Sequence, residues 1–377
     1  MEIDLDVTLF SSSSSSSSSS EDDVDVFLNA ILPFEHLQDC IKNELFVEET
    51  VQLYSDEQFT KHFRLSRKIV DLLKAEFETS EYFPKKDTGF TRVTSEKCIL
   101  AFLWFIGNEG ATYRDVADRF NLSMSTLHGI IEKVTYFLSN RSKQFIVWPS
   151  IQERVEIESE FANMGFPGAI GVIDGTHIKI DRPAEDSESY LNKKKYHSIH
   201  MQIICDDKRK IRDVFVGYPG SVYDARVFRK SPISQSLPEL CQNFYILGDS
   251  AYPCLVNLLT PYKDTGNVTN EQKNFNLKLS RCRILIEHTI GLLKQRFRQL
   301  FHIKCRSIEL TCHIIRACCV LHNLCIENDV APNAHHEEME AQDVDLQENN
   351  EEDEDNHVGL NYRNYVAAML HIRCVPR

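Results

Sequence analysis

The chain has 377 residues, 42% of them hydrophobic, and a formal net charge of -14, which is enough length for two domains and a sizeable core. An acidic N-terminus argues against a secretory signal. The lack of any run of about 18 apolar residues argues against a membrane span, and 12 cysteines without a CxxC pair imply reduced thiols in cytosol or nucleus. The charge is segregated: residues 1–58 hold 14 acids and one base, residues 337–355 hold 11 acids and no Lys or Arg, and residues 59–336 carry 38 bases against 31 acids. A basic body between acidic ends fits a polyanionic partner.

Residues 11–20 are all serine, so 1–23 reads as a disordered Ser/acidic tail. Residues 24–150 read as a helical region, with Phe59, Phe63, Ile69, Leu72 and Leu73 at helical spacing and a polar linker over 79–94. Within it, 95–140 reads as three helices capped by Ser95, by Thr112, and by Ser123 or Ser125. The last two resemble a helix-turn-helix, which would turn Ser123, Ser125, Thr126 and His128 to DNA with Lys133 near a phosphate. Few Arg, Asn or Gln lie there, so base readout is expected to be weak.

Residues 165–328 carry a mixed α/β pattern. Strands are predicted over 170–180, 198–205, 210–217 and 245–249, with a short helix after Gly220-Ser221 and long helices over 272–301 and 307–327. Residues 331–357 are an acidic, disordered segment, and 358–377 is a C-terminal segment with a short helix predicted over 362–372.

Three acids stand in surroundings where a carboxylate is costly unless paired. Asp174 follows the apolar run Ala169-Ile170-Gly171-Val172-Ile173, and Asp249 ends the run Phe244-Tyr245-Ile246-Leu247-Gly248. Glu287 is the one acid among eight bases in 278–306 (Lys278, Arg281, Arg283, Lys294, Arg296, Arg298, Lys304, Arg306). Strand alternation puts Val172, Asp174 and Thr176 on one face, and Gly248 allows close approach at the strand end. Converging carboxylates suit a hard divalent cation, and two such ions support in-line phosphoryl chemistry. Arg283, Lys294 and Arg298 beside Glu287 are candidate phosphate contacts, as are Lys193, Lys194 and Lys195 before a strand. Ser221-x-x-Asp224 reads as a helix capping box.

Seven stretches, GVIDGTHIKI (171–180), YLNKKKYHSIHMQIICD (190–206), PGSVYDARVF (219–228), LGDSAYP (247–253), LLTPY (258–262), RILIEHTIGLLKQRF (283–297) and ACCVLHN (317–323), resemble the PIF/Harbinger transposases, most closely the Harbinger transposase-derived nucleases. The resemblance implies a ribonuclease H-like mixed sheet flanked by helices. It also implies a DDE-type site in which Asp174, Asp249 and Glu287 are catalytic and Asp224 joins them as a metal ligand, so that Asp224 would both cap and bind. The implied activity is Mg2+- or Mn2+-dependent hydrolysis of DNA phosphodiesters; the alternative is a domesticated, non-cleaving chromatin adaptor. The implied partners are DNA and a separately encoded Myb-like DNA-binding protein, with a homo-oligomer left open and no membrane. The implied compartment is the nucleus, with the cytoplasm second.

Cys318, His322 and Cys325 share a helical stripe near Cys312, His313 and Cys319. Three ligands on one helix without a fourth make poor zinc geometry, so these read as core. His177 and His288 flank the acids without an assigned role. Neither a Gly-rich phosphate loop nor a Ser-His-Asp arrangement is present.

Overall fold

A computed structural model describes residues 43–84, 92–263, 266–328 and 356–372. The serine tract, residues 24–42 of the helical region, most of the 331–357 segment and part of the 79–94 linker lie outside the described residues. Those that are described belong to one compact unit.

The helical region holds α1 (Asp56–Phe63), α2 (Arg67–Thr79), α3 (Ser95–Gly107), α4 (Tyr113–Arg119), α5 (Met124–Ser139), the single turn α6 (Ser142–Phe145) and α7 (Ile151–Asn163). Local chemistry sets the starts. Thr112 caps α4 in a reciprocal box with Asp115, and the Ser123 hydroxyl accepts from Thr126 N to cap α5. Thr94 rather than Ser95 caps α3: its hydroxyl accepts from Lys97 N, while Ser95 is the first helical residue and buried. Ser123, Ser125, Thr126, His128 and Lys133 are exposed on α5.

The sheet follows: β1 (Ala169–Ile180), β2 (Ser198–Cys205), β3 (Ile211–Pro219), α8 (Asp224–Lys230), α9 (Pro232–Cys241), β4 (Tyr245–Leu247), β5 (Leu258–Leu259), α10 (Asn270–Arg296), β6 (His302–Ile303), α11 (Ile308–Glu327) and α12 (Asn356–Ile372). Strand order is β3-β2-β1-β4-β5, with β6 also on β1. β2 is antiparallel to β1 and β3, while β4 is parallel to β1 and β5. This is the ribonuclease H-like arrangement. The helix expected over 272–301 ends at Arg296; Phe297 leaves helical geometry and one 3-10 turn follows over Arg298–Phe301. Phe297 and Leu300 nevertheless stay fully buried, so the apolar stripe outlasts the helix.

α11 is long and apolar enough to cross a membrane by length and composition, unlike the expectation from apolar runs, but 72% of that window is buried inside the fold. It is the core helix, wedged between α5 and the outer strand β3. Cys318, Cys319 and Cys325 are buried there as free thiols, and burial pushes Cys319 up to about 12. His322 is fully buried between the Arg296 guanidinium and the Arg209 carbonyl, while His313 bonds Ser139.

Asn323 ties this helix to the sheet. Its Oδ1 accepts from Ile211 N at 2.8 Å, and its Nδ2 donates to Ile211 O at 2.7 Å and Phe145 O at 2.8 Å. Asn323→Leu keeps the number of side-chain heavy atoms but strands the two buried backbone groups of Ile211 and the part-buried carbonyl of Phe145. The expected loss is about 3 kcal/mol or more, at roughly 1–3 kcal/mol per unmet buried group, read as a fall in the urea midpoint. A midpoint equal to the parent's would show that these bonds contribute nothing net.

Candidate active site

The strand pairing leaves a notch. β4 reaches β1 only at Ala169 and Val172, and β6 only at Lys179 and Ile180. Between them, residues 173–178 have no strand partner on that edge among the described residues. β1 continues to β2 on one side while β4 continues to β5 on the other, so the notch opens at a switch in strand order, beyond the C-terminal end of β4. Open α/β sheets place ligand sites at such points.

Asp174 sits on the β1 side of this notch, only 7% exposed. Asp249 follows the end of β4, held by Ala251 N donating to its Oδ1 at 2.9 Å. Gly248 lets the backbone approach closely at that bend: a Cβ there would stand 3.1 Å from the side chains of both Ile173 and Leu258, which would have to give way. Asp224 reaches in from the start of α8. Its Oδ1 lies against Gly175, where a Cβ would meet it at 2.1 Å, and accepts from His200 Nε2 at 2.7 Å. Asp224 therefore does not cap α8. The N-cap position falls on Tyr223, without a side-chain bond, so Ser221 lies two residues too early for the expected box, and the Asp224 carboxylate is taken by the buried His200 imidazole instead.

Burial pushes the Asp174 carboxyl up to about 7; Arg283 opposes the rise, while Asp249 and Asp224 add to it. Asp249 is raised by burial and by Asp224, against Arg283. Asp224 is also pushed up by burial, but the His200 hydrogen bond and the charges of His200 and His177 hold it below its ordinary value. The three aspartates thus act on one another.

Glu287 is more exposed, at 47% of its side chain, and joins them through Arg283. Nη2 of that arginine is 3.3 Å from Asp174 Oδ2 and 3.8 Å from Glu287 Oε1. Arg283, expected to hold phosphate, is therefore placed between two acids. Lys294 is also turned inward: its ammonium donates to Thr176 Oγ1 at 2.8 Å and His177 O at 3.0 Å, and burial lowers it to about 8. It ties α10 to β1 instead of facing solvent. Arg298 opens the 3-10 turn just beyond α10, 3.8 Å from Glu109.

Lys193, Lys194 and Lys195 are exposed on a tight turn. The turn is built by Asn192, which exchanges backbone bonds with Tyr196 and Lys195 and bonds Ser198 through its side chain. Lys193 lies over the Tyr223 ring at 4.7 Å, which brings the basic turn beside the segment that carries Asp224.

Among the described residues, no three His, Cys, Asp or Glu side chains are already gathered around one ion position. The donor set still fits a hard divalent cation: its ligands are carboxylate oxygens, their mutual repulsion calls for positive charge, and Gly175 leaves the space in which Asp224 approaches. His200 supports Asp224 as an outer partner does for a ligating group.

Several neighbours escaped the sequence reading. The fully buried Gln202 lies opposite Gly175, and neither amide atom has a partner among the described residues. The buried Tyr252 hydroxyl is likewise unpartnered and feels all three aspartates. Tyr252 stood in the LGDSAYP stretch, and His200 was a polar residue in a buried strand; those were the available signals.

The raised Asp174 carboxyl binds its proton more tightly folded than unfolded. Stability therefore falls as pH rises between 3.8 and about 7. Asp174→Asn, neutral at every pH, is expected to leave chelator-treated protein unchanged near the lower limit. It should stabilise that protein by on the order of a few kcal/mol above the upper one. Urea titrations at both ends check this; equal effects at both would contradict it.

Residues 173–323 match the family model described as DDE superfamily endonuclease. The chain is 32% identical over 242 residues to "Putative nuclease HARBI1" of Bos taurus, covering 63% of this chain and 68% of that one. It is 29% identical over 295 residues to "Protein ALP1-like" of Arabidopsis thaliana, covering 71% and 70%. A cryo-EM structure of the piggyBac transposase synaptic complex with hairpin DNA is similar at 11% identity and a TM-score of 0.31, covering 87% of this chain and 84% of that one. With its acids at the notch of a ribonuclease H-like sheet and this identity across most of a relative's length, the chain belongs to the Harbinger transposase-derived nuclease family of the DDE endonuclease superfamily.

Proposed function

We propose that the chain is a divalent-metal-dependent DNA endonuclease of transposase descent. The observation that carries this reading is the group of three interacting aspartates at the β1/β4 notch, with Asp174 raised to about 7. Asp174, Asp224, Asp249 and Glu287 would hold Mg2+ or Mn2+. When bound, such ions supply an activated water and charge stabilisation for in-line attack on a phosphodiester.

The remaining roles belong to the chain. His200 holds Asp224 in orientation, and Lys294 fixes β1 against α10 so that Asp174 keeps its place. Arg283 balances the buried carboxylates. Lys193, Lys194 and Lys195 bind backbone phosphates beside the cut. A Myb-like partner would read the DNA sequence in the nucleus, so nicking by this chain alone is expected to show little sequence preference.

One observation favours the alternative of a non-cleaving adaptor: Arg283 already compensates Asp174 and Glu287 from within the protein. Plasmid nicking separates the two. With Mg2+ or Mn2+ the parent is expected to nick, and Asp174→Ala or Glu287→Ala to lose at least about 100-fold, the upper end of what an outer-shell loss costs. Nicking by all three alike would place the chemistry elsewhere; DNA binding without nicking by the parent would establish the adaptor.

His200→Ala removes an outer partner only. It is expected to raise the Mn2+ concentration for half-maximal nicking about 10–100-fold, and an unaltered Mn2+ dependence would remove His200 from the site.

A further inference from the structure

A second concave region lies where the helical region meets the end of α10. It is a cleft of about 500 Å3 lined by Arg64, Asn108, Glu109, Gly110, Arg298, His302 and Lys304, within the size range of ligand clefts. Its charge is one-sided. Glu109 is the lone acid of the lining, and His302 is engaged with Asp181 at 2.9 Å. Lys304 is exposed and forms no ion pair among the described residues.

Its walls are built rather than loose. Arg64 stands at the left-handed end of α1, with φ of 66°, and donates through Nε and Nη2 to the Gly107 carbonyl at 3.3 and 3.0 Å. Its Nη1 makes no hydrogen bond within the described residues. From the other side Gln299 Nε2 donates to the Asn108 and Ala111 carbonyls, both at 3.0 Å. The 108–111 loop is thereby clamped to the turn that carries Arg298. Burial and the nearby Arg298 both lower the Arg64 pKa. The Glu109 carboxylate stands 3.8 Å from Arg298, but no acid pairs with Arg64 or Lys304 among the described residues, so the cleft still gains from a further anion. Guanidinium pairs favour phosphate oxygens, which they can bind in bidentate fashion.

We infer that this cleft binds a backbone phosphate of duplex DNA, held by Arg64, Arg298 and Lys304, at a distance from the notch. The choice of DNA over a free phosphate follows from placement and rests on the nuclease reading. α10 carries Glu287 at the notch and runs on toward Arg298. At 1.5 Å per residue the separation is on the order of 15 Å, or about four to five base-pair steps at 3.4 Å each. A duplex cut at the notch therefore has phosphates within reach of the cleft, and α10 is the rigid spacer between them.

The test uses the full chain, a fluorescent duplex in a KCl series without divalent metal, and anisotropy. Lys304→Ala and the double variant Lys304→Ala/Arg298→Ala are compared with the parent, each checked by thermal melting. Each lost phosphate contact is expected to reduce the slope of log affinity against log salt by about 0.9, so the double variant should lose nearly twice what Lys304→Ala loses. Lys304 is exposed, so its single variant keeps the test valid should the double one melt early.

Slopes equal to the parent's overturn the cleft while leaving Mg2+-dependent nicking by the parent intact. Reduced slopes with no nicking by the parent retain the cleft and sink the nuclease reading instead. Inorganic phosphate at matched ionic strength is the control for the source. If it displaces labelled duplex from the parent as well as unlabelled duplex does, the cleft takes a free anion and the duplex assignment fails.

Discussion

The structure depends on keeping Asp174 inside the protein beside two further aspartates. A carboxylate with so little exposure and two like neighbours is disfavoured as an anion on both counts. The sheet imposes this arrangement: β1 must carry Asp174 past the end of β4, and β4 must stop for Asp249 to turn into the gap. What makes it tolerable is Arg283 on the facing helix, whose guanidinium touches Asp174 and lowers both Asp174 and Asp249. The site is therefore a stored electrostatic imbalance, only partly offset by protein charge. On the proposed function, a bound cation would complete it at less cost than rearranging the sheet.

The alternation of apolar and polar residues made β1 and β2 legible, because a register slip would move Asp174 and Thr176 to the wrong face. The two-residue strands β5 and β6 carry no periodicity to read. α7 was missed although Ser150 and Glu153 form a capping box at its start; its exposed Val155 and Ile151 blur the apolar stripe. The end of α10 was overrun for a different reason. Phe297 and Leu300 continue the buried spacing after the backbone has left the helix, so burial and secondary structure part company there.

Within the site, residue types were legible and their partners were not. Charge alone suggests that Lys294 and Arg283 meet phosphate, since both lie in a basic stretch. Their actual partners, Thr176 and His177 O for one and Asp174 and Glu287 for the other, lie more than a hundred residues away or one helical turn along. Asp224 shows the same limit. A capping box is a local pattern, and it lost to His200, a residue on β2 that becomes a neighbour only once the sheet forms.

α10 connects these observations. Arg283 and Lys294 fasten it to β1, and Gln299 just beyond its end fastens the 108–111 loop of the helical region. A helix pinned at two points about three turns apart, and again just past its end, holds its position against the sheet, which keeps the notch and the basic cleft at a fixed separation. The helical region then need not read bases to matter. By supplying Arg64 to the cleft, it would become one wall of the surface along which the proposed polyanion lies. On the proposed reading, that would give the positive charge of residues 59–336 a specific geometry, one point on α10 and one at the turn just beyond its end, rather than a diffuse attraction.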